Sequence, residues 1–193
     1  MRLPDPGVGS GRAEAHRYDP PVTNLVFLCT GNAARSVMGG AIVRARRDDL
    51  EIVTAGTHVI EGMPMSWRTR DALGALDIEA TGHRSYQLRD GDVAMADLVI
   101  AMAAEHVGYV RRFHPQAAAR TATLKRLARD LTPGTGDKAG SDDLAARVAV
   151  LGLADVALES WEDVDDPAGG DLPEFEACAR EISALLEEVL PRI

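Results

Sequence analysis

The stretch Val26-Phe27-Leu28-Cys29-Thr30-Gly31-Asn32-Ala33-Ala34-Arg35-Ser36 decides how the rest of the chain is read. Its first residues close an apolar run, Val22 to Leu28, whose β-branched and aromatic side chains predict a strand. Thr30-Gly31-Asn32 break that run, and Met38, Ile42 and Val43 then recur at helical spacing. Strand, tight loop and helix follow directly on one another, and the pattern repeats outward. Glu51 to Ala55 reads as a second strand, punctuated by Gly56 and followed by a helix from about Ser66 to Leu76. Asp97 to Met102 reads as a third strand leading into a helix near Glu105 to Arg112, and Thr121 to Leu124 as a short fourth strand. Thr132 to Gly140 is loop. Ser141-Asp142-Asp143 suits a helix start, because side-chain oxygens and negative charge satisfy free amides there. Asp171 and Glu174 open a last helix whose stripe of Phe175, Cys178, Ala179, Ile182, Leu185, Leu186 and Val189 is expected to pack on the sheet. Strands alternating with helices imply parallel strands and right-handed crossovers. The fold class is α/β, three layers with helices on both faces of the sheet.

With 193 residues, 46% hydrophobic and 26% charged, the chain can bury a real core, and its length suits one compact domain. Residues 1–21, rich in Pro and Gly with little that is bulky and apolar, read as a flexible tail, and residues 22–193 as a single domain that carries the chemistry. Lys and Arg total 21 against 30 Asp and Glu, a formal charge of −9 that argues against general binding of nucleic acid or an anionic membrane. Any anion site must be local. No stretch approaches the roughly 20 apolar residues of a membrane span, and the opening MRLPDPGVGSG lacks a signal-peptide core, so a soluble cytoplasmic protein is expected. The two cysteines, Cys29 and Cys178, are too few for a disulfide scaffold.

Cys29 and Arg35 bracket Thr30, Gly31, Asn32, Ala33 and Ala34 at the mouth of the first helix. A tight loop of small residues lets successive backbone N–H groups converge on one point, and the helix N-terminus adds positive potential. Thr30 to Ser36 are therefore candidates to cradle a tetrahedral oxyanion. Arg35 adds a fork to two of its oxygens. The same field stabilises a thiolate at Cys29, making it a nucleophile, and Ser36 is placed to hydrogen-bond the sulfur. Gly31 and Asn32 suit left-handed backbone. Attack on a phosphoryl group also needs a proton donor for the leaving group. Asp165-Asp166-Pro167 supplies one, with Pro167 restraining Asp166 to extended geometry.

These residues resemble the low-molecular-weight protein tyrosine phosphatases and their arsenate-reductase and protein-arginine-phosphatase relatives. The resemblance runs from Val22 to about Leu190. It rests on VFLCTGNAARS with Met38, Thr54-Ala55-Gly56-Thr57, Gly82-His83, Ser85-Tyr86-Gln87-Leu88, Ala96 to Met102, and Asp166-Pro167 ahead of the last helix. It implies a four-stranded parallel sheet, a phosphocysteine intermediate on Cys29, oxyanion binding by Arg35 and the loop amides, and general acid and base work by Asp166. Asn32 and Ser36 would stabilise the loop, and no cofactor would be needed. The implied substrate is a phosphorylated protein, phosphotyrosine foremost, or a small phosphoester.

The departures carry information too. Ala34 stands where many relatives have a second, protective cysteine, and Val37 replaces the usual proline. Gly39-Gly40 point to a first helix that is short or unusually close-packed. Ala168-Gly169 follow Asp166-Pro167 where phosphotyrosine enzymes often place aromatics, and Ala33 sits at the position that helps separate phosphotyrosine from phosphoarginine. The segment from about Thr132 to Trp161 is longer than in minimal members, room for a partner surface or lid. Arsenate reduction is an alternative, but Cys178 lies on an apolar helix face and reads as core, which leaves only an external thiol. His83 reads as a structural hydrogen-bonding histidine, and Trp67 and Trp161 as packing residues. His16, His58, His106 and His114 show no metal-ligand spacing, so no metal is expected. A non-catalytic anion-binding module is the last alternative. Intact Cys29, Arg35 and Asp166 argue against it, because binding phosphate alone needs neither a thiol nucleophile nor a separate acid.

Overall fold

A computed structural model describes residues 22–134 and 141–193. The expected tail, residues 1–21, and most of the loop expected over Thr132 to Gly140 lie outside the described residues. The elements in chain order are β1 (Thr23–Cys29), α1 (Arg35–Arg46), β2 (Leu50–Gly56), α2 (Trp67–Gly74), α3 (Asp90–Met95), β3 (Leu98–Ala101), α4 (Ala104–Phe113), β4 (Thr121–Thr123), α5 (Leu124–Asp130), α6 (Ser141–Val150) and α7 (Leu172–Val189). Among the described residues no helix is long and apolar enough to cross a membrane.

The four strands form one parallel sheet in the order β2-β1-β3-β4. From β1 the chain crosses first to β2 on one side and then to β3 on the other. The crevice beyond the C-terminal end of β1 is therefore a topological switch point, where open α/β sheets bind ligands. Alternation along β1 feeds two cores. Leu25, Phe27 and Cys29 face Met38 and Ile42 of α1 and the buried side of α7, while Val26 and Leu28 face Val93 of α3 and Val110 of α4. Burial on both faces is why this strand reads as an unbroken apolar run.

The paired glycines of α1 have a packing cause. A Cβ at Gly39 would lie 2.8 Å from Phe27 Cδ1, and one at Gly40 would overlap the Thr54 methyl. The helix keeps 12 residues and sits unusually close to the sheet. The apolar stripe of α7 is where the periodicity puts it, and it joins the sheet residues Leu25, Phe27 and Ile100 in one core while also packing beside α1, α2 and α5. Short α3 and α5 carry no long apolar period and were not expected. The start of α5 is capped by Thr123 Oγ1, which accepts the Arg126 N–H at 3.1 Å. The long segment before Trp161 contributes Leu144, Val148 and Leu153 to the core, and Arg111 Nη2 ties it to α4 by donating to the carbonyls of Leu153 (2.6 Å) and Val156 (2.8 Å).

Candidate active site

The loop between β1 and α1 is held by its carbonyls. The Cys29 carbonyl accepts the Thr57 N–H at 2.9 Å, and the Thr30 carbonyl accepts the His58 N–H at 3.0 Å. The Asn32 carbonyl lies 2.7 Å from His83 Nε2, Ala33 accepts the Thr69 hydroxyl at 2.8 Å, and Ala34 accepts the Met38 N–H at 2.8 Å. With these carbonyls turned outward, the N–H groups of Thr30 to Ala34 find no protein acceptor among the described residues. Free amides at the N-terminus of a three-turn helix are the kind of donors that can hold an anion.

Asn32 is the one loop residue in the left-handed region, at φ 48°. Its Oδ1 accepts the Tyr86 N–H at 2.9 Å and its Nδ2 donates to Ser36 Oγ at 2.9 Å, so one side chain braces the loop from outside and within. Gly31 does not adopt positive φ, contrary to the expectation, and a Cβ there would meet nothing within 4 Å. The glycine that matters sterically is Gly56, paired with Cys29 across the sheet. A Cβ on it would sit 2.5 Å from the Thr30 carbonyl oxygen and 3.0 Å from the Asn32 nitrogen.

Cys29 is buried at the loop's base, its Sγ 3.0 Å from Ser36 Oγ. Because Ser36 Oγ already accepts from Asn32, its own O–H is free to donate to the sulfur. Arg35 is 4% exposed, and its fork is occupied at both tips: Nη1 donates to the Val164 carbonyl at 3.2 Å and Nη2 to Asp166 Oδ2 at 2.5 Å. Asp166 is half exposed, whereas Asp165 makes no comparable contact and faces solvent.

Three consecutive residues anchor the strand of chain that delivers Asp166. Glu162 is fully buried and pairs with Arg126, whose Nε donates to Oε2 at 2.8 Å, and it also accepts the Thr123 hydroxyl at 2.9 Å. Burial alone would push the Glu162 carboxyl up, but the bonds from Arg126, the Glu159 N–H and Thr123 hold it below the usual carboxylate range. Asp163 Oδ1 accepts the Ala104 N–H at 2.7 Å, capping α4, and the Val164 N–H reaches the Met102 carbonyl at 2.8 Å. Trp161 lies beneath Arg129, 3.9 Å from the guanidinium carbon to the ring centre, and so supports this anchor. Trp67, expected to be packed away, is half exposed.

Cys178 is buried in the core beside α1, and burial pushes its thiol up to about 12. His83 is half-buried and held below its usual range by that burial. Among the described residues no three His, Cys, Asp or Glu side chains converge to hold a metal ion. A cavity of about 500 Å³ lies behind α1, lined by Val37, Arg44, Thr54, Glu79 and His83 among others, and does not include Cys29 or Asp166. Sequence reading brings Cys29 to Ser36 and Asp166 into view. It misses Gly56 as a steric requirement, Thr69, His106 and the Arg126–Glu162 pair, for which only the position of Gly56 directly after a strand left a signal.

The loop, the arginine and the acid sit within a wider similarity. A family model described as low molecular weight phosphotyrosine protein phosphatase matches residues 24–137, a span that includes Cys29 to Ser36 and ends before Asp166. A low molecular weight protein-tyrosine-phosphatase of Streptomyces coelicolor is 32% identical, covering 83% of this chain and 87% of its own. A protein-arginine-phosphatase of Geobacillus stearothermophilus is 26% identical over 88% of this chain and 95% of its own. Among solved structures, a low molecular weight protein tyrosine phosphatase from T. tengcongensis superposes with a TM-score of 0.68 at 28% identity, covering 89% of this chain and 99% of that one. The arginine phosphatase of Geobacillus stearothermophilus gives 0.66 at 26% identity, covering 86% of this chain and 89% of that one.

Proposed function

Because the chain belongs to the low molecular weight phosphotyrosine protein phosphatase family, we propose that it hydrolyses phosphorylated protein, phosphotyrosine foremost, through a phosphocysteine on Cys29. The Cys29 thiolate attacks phosphorus as the bond to the leaving oxygen breaks, while Asp166 donates its proton to that oxygen. The amides of Thr30 to Ser36 and the Arg35 fork hold the three equatorial oxygens, where charge is concentrated in the transition state. Asp166, now a carboxylate, takes a proton from water, which attacks phosphorus and breaks the P–S bond. Inorganic phosphate leaves, and the Ser36 hydroxyl eases departure of the thiolate.

The observation that carries this reading is the 2.5 Å contact of Arg35 with Asp166, which puts an acid 131 positions away at the mouth of the cysteine loop. A second reading, phosphoarginine as the substrate, is supported by the arginine phosphatases among the similar proteins and by the exposed Glu105 carboxylate 3.4 Å from Thr30 Oγ1, which suits a guanidinium leaving group. Arsenate reduction through an internal thiol is disfavoured by the buried Cys178 and its high thiol range. Rates on a phosphotyrosine peptide, a phosphoarginine peptide and arsenate with an external thiol decide among the three. The proposal expects the phosphotyrosine peptide to be fastest, and a preference for either of the others overturns that substrate assignment.

A further inference from the structure

His106 stands in the first turn of α4, is 1% exposed, and has no part in the chemistry proposed above. Its Nε2 lies 3.0 Å from Oγ1 of Thr30, the residue after Cys29. Its Nδ1 is buried without a partner among the described residues. A buried N–H lacking an acceptor is worse than a lone pair lacking a donor, which puts the ring proton on Nε2. Nε2–H then donates to Thr30 Oγ1, and the Thr30 hydroxyl proton is left for Glu105 Oε1 at 3.4 Å. Burial, and after it the charge of Arg35, holds the His106 ring down to about 3. The ring is neutral, and its 3.4 Å approach to Glu105 is not an ion pair.

Thr30 is thus tied from two directions. Its carbonyl is taken by the His58 N–H after β2, and its side chain by His106 of α4. Across a trans peptide the Thr30 N–H opposes the Cys29 carbonyl, which the Thr57 N–H holds, and the Gly31 N–H opposes the Thr30 carbonyl, so the tie to Thr30 lies between two peptides whose carbonyls are already engaged on the β2 side. An apolar side chain would fill the space of His106 without burying an unpartnered nitrogen, so packing alone does not account for an imidazole there.

We propose that His106 is a positioning residue for the phosphate loop, its Nε2–H fixing the Thr30 side chain so that the Thr30 amide faces the oxyanion. The inference rests on the reading of this loop as a phosphate cradle. The test uses His106→Met, His106→Gln, Thr30→Val and the His106→Met/Thr30→Val double variant, with inorganic phosphate as competitive inhibitor of aryl phosphate hydrolysis and the thermal midpoint followed in parallel. His106→Met and Thr30→Val should each weaken phosphate and lower kcat by about three- to tenfold, the scale of one hydrogen bond. The double variant should be no worse than either single one, since both remove the same bond. His106→Gln, which keeps an N–H near the Nε2 position, should recover most of the loss. Unchanged phosphate affinity in folded His106→Met, or losses that multiply in the double variant, would overturn the role. If His106→Met does not fold, unchanged phosphate affinity in Thr30→Val overturns it equally. Wild-type protein that fails to bind phosphate at all would instead take down the underlying loop reading.

Discussion

Arg35 Nη2 lies 2.5 Å from Asp166 Oδ2, while Arg35 Nη1 holds the carbonyl of Val164, two residues before that acid. One guanidinium therefore ties the cysteine loop to the segment that carries the proposed acid. On the proposed function, an oxyanion in the loop would compete with Asp166 for Nη2 and so link arrival of substrate to release of the acid. Arg35→Lys retains charge but has no fork. It should lower kcat/KM on aryl phosphates by about 10²–10³-fold, as loss of a transition-state donor does. Steady-state kinetics near wild type would remove Arg35 from its proposed place.

Asp166 and Asp165 are neighbours with different surroundings, one on Arg35 and the other in solvent. Asp166→Asn should slow hydrolysis of aryl phosphates with poor leaving groups by about 10²–10⁴-fold and that of good ones much less, giving a steeper dependence on leaving-group basicity. Asp165→Asn should follow the wild-type line. A leaving-group series on both variants checks this, and an exchange of their behaviour would reassign the acid.

Two glycines separate packing from site geometry. A Cβ at Gly56 meets the Thr30 carbonyl of the loop, whereas one at Gly40 meets the Thr54 methyl under α1. Gly56→Ala should weaken phosphate binding at least about tenfold by moving the loop. Gly40→Ala should cost about 1–3 kcal/mol of stability by overpacking while leaving phosphate affinity nearly intact. Denaturant midpoints and phosphate inhibition constants for the pair would contradict this if the two losses came in the reverse order.

Burial holds His106 down to about 3, against about 6.5 in the unfolded chain, and lowers His83 as well. The unfolded state takes up protons that the folded state refuses. The stability tied to these rings is present in full above pH of about 6.5 and is lost as pH falls from there towards the folded value. A single fully shifted group contributes a slope of about 1.4 kcal/mol per pH unit within that window. Glu162, held below its usual range, adds its own loss at lower pH, so the informative quantity is the difference between variants. His106→Gln should show a shallower fall of unfolding free energy between pH 6.5 and about 4.5, and identical slopes would contradict the neutral buried ring.

Much of the site was legible because it is local. Cys29 to Ser36 are contiguous, and the alternation of β1 places them at the sheet's C-terminal edge without reference to anything distant. Asp166 was visible only through Pro167 and the family resemblance, since nothing in a linear reading relates it to Arg35. Gly31 and Asn32 both looked suited to left-handed backbone, and only Asn32 takes that conformation, held by two side-chain bonds. Gly56 acquires its meaning from the strand register, and His106 and the Arg126–Glu162 pair from helices that meet only in the fold. Similarly, α5 follows a three-residue strand too short to show a period, and the stripe of α7 states that a face is buried but not which helices bury it.

The most direct measurement is mass spectrometry of acid-quenched protein after brief mixing with a phosphotyrosine peptide, on wild type, Cys29→Ser and Asp166→Asn. A single phosphoryl group should map to Cys29, persist longer in Asp166→Asn because the hydrolytic step lacks its base, and be absent, with no turnover, in Cys29→Ser. Continued turnover in Cys29→Ser, or turnover in wild type with the phosphoryl group on any other residue, would contradict phosphocysteine catalysis at this loop.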